Sequence, residues 1–405
     1  MLLTEWRERF RVTGCMATGA LATYLSLPGA ALGAPPDFTY TTLPAQPSFV
    51  AWPTQSWARG PSVSIDRKEL DRAADLLWSP SAESPIGRIN ALVIVQGGRI
   101  VYERYRAAHS CDQIEHTMSV AKMMGAAMAG LLVLHRGFDI DAPLARGGWV
   151  KPDPRHAITA RHALNMTTGL QWDESGDFLE FAFGDGALDL AKFVTEKPLA
   201  HAPGTHFQYS DGTPSLIGQE VLRATGGTRT GVVGFLRSSL LGPLGMTRTE
   251  LEFDRRGTWY GSSGVRWSPC DLARFGLLLL RDGIWDGQRM LPTGWVNFMR
   301  TPTEASMNAA LPPGAPPEAL EPYGAFADVY LSPTAVAARS RVPLPIDSFG
   351  HYGFGGSHLR VVPSRDLVLV VVGERGRDPY AMLETFRLAE KISNAFAVAV
   401  APAQP

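Results

Sequence analysis

The 405-residue chain is short of lysine, of cysteine and of any excess charge. Lysine occurs only at positions 68, 122, 151, 192, 197 and 391, while arginine is plentiful. The cysteines are Cys15, Cys111 and Cys270, too few in a chain this long for a disulfide framework. Cys111 and Cys270 could pair, but sequence does not show proximity. No cysteine or histidine spacing resembles a zinc site, and His156 and His162, six apart, fit neither usual helical ligand spacing. The formal net charge of −1 gives no broad electrostatic case for nucleic acid or an anionic membrane as partner. There is no fixed-period repeat, heptad pattern or block of like charge. A G-x-S-x-G elbow is also missing, which sets aside a Ser-His-Asp hydrolase of the α/β type.

What is present is an apolar content of 45%, enough for one large core or for two intermixed subdomains sharing a cleft. Residues 1–34 read as a secretory signal segment. Arg7, Arg9 and Arg11 precede a small and apolar run from Val12 to Ala34, with small residues at Ala31, Gly33 and Ala34 suited to cleavage. The segment predicts a periplasmic or secreted protein, the alternative being a cytoplasmic one. Its Gly-rich run is too short to predict stable membrane insertion. Cys15 precedes the apolar stretch instead of following it, which argues against lipidation.

The most informative stretch is Ser119-Val120-Ala121-Lys122. It is the one place where a serine stands three residues before a lysine. The run Met123 to Leu134 holds no polar side chain until His135 and predicts a buried helix. Positions i and i+3 share a helix face, so Ser119 and Lys122 would be neighbours. Low-dielectric surroundings penalise an ammonium. An amine beside a hydroxyl can then take its proton and make serine a nucleophile. The plain alternative is a capping serine followed by a surface lysine.

Around it the pattern predicts an α+β chain. Residues 35–60 are Pro- and Thr-rich and read as extended, and Asp66–Leu77 as an amphipathic helix. Asn90–Gln96 and Arg99–Tyr105, joined by Gly97-Gly98, predict a hairpin. Short helices are predicted at Thr159–Met166, Leu188–Glu196, Pro214–Ala224 and Ser268–Arg281. Residues 172–187, with the acidic Glu180 and Asp185, and residues 302–320 read as surface loops. Leu359–Val362 and Leu367–Val372 form a second hairpin, and Pro379–Val398 a closing helix. Strands near both ends with helices between predict an antiparallel sheet built from both chain ends, with flanking helices and an inserted helical subdomain. The division is 61–118 with 250–400 for the sheet part and 119–249 for the helical part.

Several segments together resemble the serine beta-lactamase-like hydrolases. These are Ser119–Lys122, Leu164-Asn165-Met166-Thr167-Thr168-Gly169-Leu170, Pro203–Asp211, Pro243-Leu244-Gly245-Met246, Asp271–Gly276 and Phe349–Gly356. The resemblance covers roughly residues 60–395, and S-x-x-K with downstream partner motifs is a signature of this chemistry. It implies Ser119 as nucleophile at a helix N-terminus. It implies Lys122 as base, alone or with Tyr209, and Tyr209 as proton shuttle to the leaving group. The backbone N–H groups of Ser119 and Phe354 would form the oxyanion hole. His351-Tyr352-Gly353 would line the substrate on an edge strand, its glycine admitting the substrate backbone. Tyr260 is the candidate for an additional substrate-contacting tyrosine.

The chain departs from the family pattern at two places. Asp211 stands where the Tyr-x-Asn element has an amide, and a carboxylate cannot donate to a substrate carbonyl. Asp211 could instead orient Lys122. His351 replaces a permanent cation with a titratable one, which predicts weaker or pH-dependent recognition of a substrate carboxylate. The resemblance therefore implies a serine hydrolase acting on a small-molecule amide or ester through an acyl-enzyme, without cofactor or metal. It lies nearest the esterase or 6-aminohexanoate-dimer hydrolase branch. The alternatives are a beta-lactamase or D-alanyl-D-alanine carboxypeptidase, and a non-catalytic relative that binds peptidoglycan fragments or a protein partner.

Overall fold

The computed structural model describes residues 42–47, 52–61, 65–78, 88–144, 149–173, 176–309, 322–329, 347–374, 388 and 390–396. The signal-like segment 1–34, residues 310–320 of the expected loop and most of the expected closing helix lie outside the described residues.

The fold starts from an amphipathic helix and a hairpin. Helix α1, Arg67–Leu77, is capped by Asp66, whose side chain accepts from the Glu69 N–H. Strands β1, Ile89–Gln96, and β2, Arg99–Tyr105, turn at Gly97 and Gly98, both at positive φ (59° and 72°). Strand β3, Glu115–His116, leads into a 3₁₀ turn, Met118–Ala121, continuous with helix α2, Lys122–Arg136. Gly137, in the left-handed conformation, stops α2. A helical stretch follows, at Ala160–Leu164, Gly176–Phe183, Leu190–Thr195, Pro214–Ala224 (α3) and Arg229–Leu236. Strands β4, Thr249–Leu251, and β5, Val265–Trp267, precede helix α4, Pro269–Leu280. Strands β6, Asp328–Val329, β7, Phe349–Gly353, β8, Ser357–Val362, and β9, Leu367–Gly373, complete the large sheet.

That sheet runs β2-β1-β9-β8-β7-β6, with every pairing antiparallel. Its centre joins the two chain ends, with Leu92 opposite Val371 and Ile94 opposite Leu369. All eight β1 residues are buried because the strand feeds two cores. Leu92 and Ile94 pack with α1 and with Leu388, Ile392 and Phe396, while Ala91, Val93 and Val95 belong to the larger core. Each buried Val, Leu or Ile contributes about 1.5–3 kcal/mol, an upper figure for a denatured chain that is already partly collapsed. Helix α4 crosses the second face so closely that a Cβ on Gly276 would lie 2.5 Å from Val368.

A small sheet, β3-β5-β4, sits beside this layer. Cys111 and Cys270 are disulfide-bonded, joining the segment before β3 to the first turn of α4. Such bonds persist in oxidising compartments.

The predicted antiparallel sheet from both chain ends is present. Three details differ from expectation. Glu304–Met307, near the start of the expected 302–320 loop, is a short helix capped by Thr303. The strand carrying His351 is not the sheet edge, because Asp328 and Val329 pair outside it, opposite Gly350 and Phe349. Residues 351–353 run on beyond that short partner. A helix also occupies Gly176–Phe183, where the acidic, aromatic sequence reads as a loop.

Candidate active site

Ser119 lies at the mouth of α2, two residues past a set of braces. Trp267 Nε1 donates to Thr117 Oγ1 at 2.6 Å. Met118 takes φ 51°, a left-handed conformation costing a non-glycine residue roughly 1–3 kcal/mol. Gly353 backs the same turn, since a Cβ there would lie 1.9 Å from the Thr117 carbonyl oxygen. The tight approach at Gly353 is therefore made by the protein's own backbone, not reserved for a substrate chain as the sequence suggested. Ser119 itself remains half-buried.

One turn on, Lys122 is fully buried, with 0% of its surface exposed. Its ammonium meets three oxygens. Ser119 Oγ is at 3.0 Å, Asp211 Oδ1 at 2.5 Å and the Ser262 carbonyl at 3.2 Å. The same Nζ stands 4.8 Å from the centroid of the Tyr209 ring, over its face. Three acceptors satisfy the three N–H bonds of an ammonium. They also suit a neutral amine, whose two N–H bonds go to Asp211 and Ser262 while its lone pair accepts from the Ser119 hydroxyl.

Asp211 and Tyr209 arrive on a turn fixed by Ser210. Its Oγ accepts from the N–H groups of Gly212 and Thr213 at 3.1 Å each, and Thr213 leads into α3. The Gln208 N–H to Met166 carbonyl bond, 2.9 Å, ties this turn to the Leu164–Leu170 segment. Gly212 admits the Trp172 ring, which would stand 2.5 Å from a Cβ there. Ser262 belongs to the loop from Trp259 to Gly264, folded on itself by the Trp259 Nε1 to Gly264 carbonyl bond at 2.8 Å. A main-chain carbonyl leaves no trace in a side-chain pattern, so sequence reasoning missed Ser262. The run of small residues at 261–264 was the available signal.

Tyr260, half-buried, packs its ring 5.3 Å from Phe181. Burial, then the carboxylates of Asp211 and Glu252, hold its phenol well above the ordinary tyrosine range. Tyr260 is thus a neutral hydroxyl at neutral pH. Phe354 follows β7 and is exposed at 38%.

His351 is in a different situation from the one its sequence position suggests. It is 2% exposed. Nδ1 lies 2.9 Å from the Tyr352 carbonyl and 3.2 Å from Asp328 Oδ2, and Nε2 lies 3.1 Å from the Tyr323 hydroxyl. A neutral ring with its proton on Nδ1 donates to the Tyr352 carbonyl and accepts from the Tyr323 hydroxyl, with Asp328 Oδ2 close by Nδ1 but outside hydrogen-bond geometry. Burial, reinforced by Lys122, pushes the ring's pKa well below its usual value. Both nitrogens are engaged inside the protein, which corrects the expectation of a titratable cation for a substrate carboxylate. Tyr209 packs edge-on against Tyr323, with centroids 6.0 Å apart, and 6.3 Å from the His351 ring. Tyr323 and Asp328 lie in a stretch with no motif of its own, so no local signal points to them.

The structure thus brings Ser119, Lys122, Tyr209, Asp211 and the 259–264 loop together, with His351 behind Tyr209. The model of the beta-lactamase family matches residues 90–390, and the chain belongs to that family. The chain is 25% identical over 255 residues to 6-aminohexanoate-dimer hydrolase of Paenarthrobacter ureafaciens, covering 56% of this chain and 62% of that relative. The match therefore spans less than two thirds of the relative's length. Among solved structures, a Bacillus anthracis protein assigned as a 6-aminohexanoate-dimer hydrolase superposes with a TM-score of 0.63 at 18% identity, over 88% of this chain and 90% of that one. EstCE1, a hydrolase with promiscuous acyltransferase activity, gives 0.59 at 14% identity over 81% and 98%. A penicillin-binding protein homologue from Pyrococcus abyssi gives 0.57 at 18% identity over 82% and 79%. These likenesses share the fold: an antiparallel sheet with flanking helices.

Proposed function

We propose that the protein is a serine hydrolase that cleaves an ester or amide through an acyl-enzyme. The observation that carries this reading is the 3.0 Å contact between Ser119 Oγ and the fully buried Lys122 Nζ at the start of α2. In the reactive state the neutral Lys122 amine, held by Asp211 and the Ser262 carbonyl, accepts the Ser119 proton. Oγ attacks the substrate carbonyl carbon. The oxyanion is received by the backbone N–H groups of Ser119 and Phe354. The Tyr209 phenol relays the proton to the leaving group as the carbonyl re-forms, leaving Ser119 acylated. Water, activated by the same groups in reverse, releases the acid.

The branch of the family favoured is that of the esterases and 6-aminohexanoate-dimer hydrolases. Asp211 supports it. In contact with Lys122 at 2.5 Å it serves as an acceptor, and it offers no amide N–H to a substrate acylamino carbonyl. The test is hydrolysis of a short-chain p-nitrophenyl ester by wild type and Ser119→Ala. Loss of at least a thousandfold in kcat/KM with an unchanged melting temperature is expected. Full activity in the variant would remove Ser119 from the mechanism.

A further inference from the structure

The charges around the nucleophile define which substrates the cleft admits, given the acyl-enzyme reading above. Lys122 is the basic side chain in contact with Ser119, and Asp211 already engages its Nζ at 2.5 Å in either protonation state. His351 offers no second cation. Its ring is capped by Tyr323 and faces Asp328, so even a protonated ring would have its charge cancelled by a carboxylate 3.2 Å away. Beside these groups stand carboxylates: Asp211 against Lys122, Asp328 against His351 and Glu252 against His116. The Tyr260 phenol is held neutral by burial and then by Asp211 and Glu252, the latter 3.2 Å from His116. The Tyr323 phenol is likewise raised by burial first, then by Tyr209, with Asp328 and Asp211 adding to it. A carboxylate beside Ser119 would lose its hydration and, among the described residues contacting Ser119, Lys122 and Tyr209, meet no uncompensated positive partner.

We propose that the enzyme acts on esters or amides that carry no carboxylate flanking the scissile bond, and that Asp211, with the capped His351, sets this preference. Such a protein differs from enzymes that anchor a substrate by a carboxylate beside the reacting carbonyl, and its ligands are acyl compounds in which any carboxylate is remote from the scissile bond.

A matched pair of substrates tests it: 3-acetoxybenzoate and its methyl ester, each normalised to its own hydroxide-catalysed rate. The expected result is a kcat/KM at least tenfold higher for the methyl ester at pH 7. Equal or faster turnover of the carboxylate overturns the inference and leaves the acyl-enzyme reading intact. So does failure of both esters while a fluorophosphonate still labels Ser119. No turnover and no label on Ser119 overturns both. Equilibrium binding of the same pair to Ser119→Ala and to Ser119→Ala/Asp211→Asn, which need no turnover, assigns the cause. The preference for the methyl ester is expected to shrink at least threefold in the double variant. An unchanged preference would remove Asp211 from the discrimination.

Discussion

At the scale of single residues, one buried amine and one buried imidazole divide the labour. Lys122 touches Ser119, whereas His351 stands a layer behind, against Tyr323 and Asp328. His358, on the adjacent strand, is also fully buried, and burial, then Arg360 and His351, press its pKa well below normal. The sign for stability follows from linkage. An unfolded histidine protonates near pH 6.5, while these two stay neutral in the fold. The unfolded chain then binds more protons, so stability is fully present above about pH 6.5 and is lost as pH falls toward the folded values. Each ring contributes roughly 1.4 kcal/mol per pH unit in that window. Urea midpoints measured at pH 7.5 and 5.0 are expected to fall clearly at the lower value. A midpoint that does not move would mean that the rings are charged in the native state.

Elements place these residues through close approaches that only small side chains permit. The clearest is β7 against the Thr117-Met118-Ser119 turn, where Gly353 leaves room for the Thr117 carbonyl. Gly353→Ala is expected to push strand and turn apart, lowering stability by roughly 1–3 kcal/mol as overpacking does. Ester hydrolysis should fall with it, because the turn aims Ser119. A variant with unchanged unfolding midpoint and unchanged kcat would show that the approach is not required. Much at this scale was legible beforehand. Pro214–Ala224 was read with both ends as found, and the Gly97-Gly98 hairpin to within a residue, because proline, paired glycines and period-two apolar runs are local signals. The strands at 115–116, 249–251 and 328–329 were not legible. Two or three residues hold no periodicity, and their pairing is decided by partners far along the chain. The helix at 176–183 was missed for a related reason. Its sequence is apolar nearly all round, and the helix is selected by Phe181 docking on Trp172 and Tyr260.

At the scale of the whole molecule, the sheet is built from the two ends of the chain, α4 lies against it, and the helical stretch packs on α2 through α3. Ser119 comes from the segment leaving β3, Tyr209 and Asp211 from the approach to α3, Ser262 from the loop before β5, and His351 from the C-terminal third. The convergence of Ser119, Lys122, Tyr209 and Asp211 was anticipated from the resemblance of motifs in order along the chain, whereas the contact of Lys122 with the Ser262 carbonyl was not. The Tyr323–His351–Asp328 contacts were not, because nothing in those residue types specifies who faces whom once buried. The Cys111–Cys270 bond was left open for the same reason, and the fold settles it by laying the two segments side by side.

The central claim is that Ser119 becomes covalently acylated with Lys122 as its activator. The most direct measurement is intact-protein and peptide mass spectrometry after a brief reaction with a p-nitrophenyl ester or a fluorophosphonate. The account predicts one adduct, mapped to Ser119, and none at the wild-type rate in Lys122→Ala. An adduct on a different residue, or labelling that proceeds undiminished without Lys122, would contradict it.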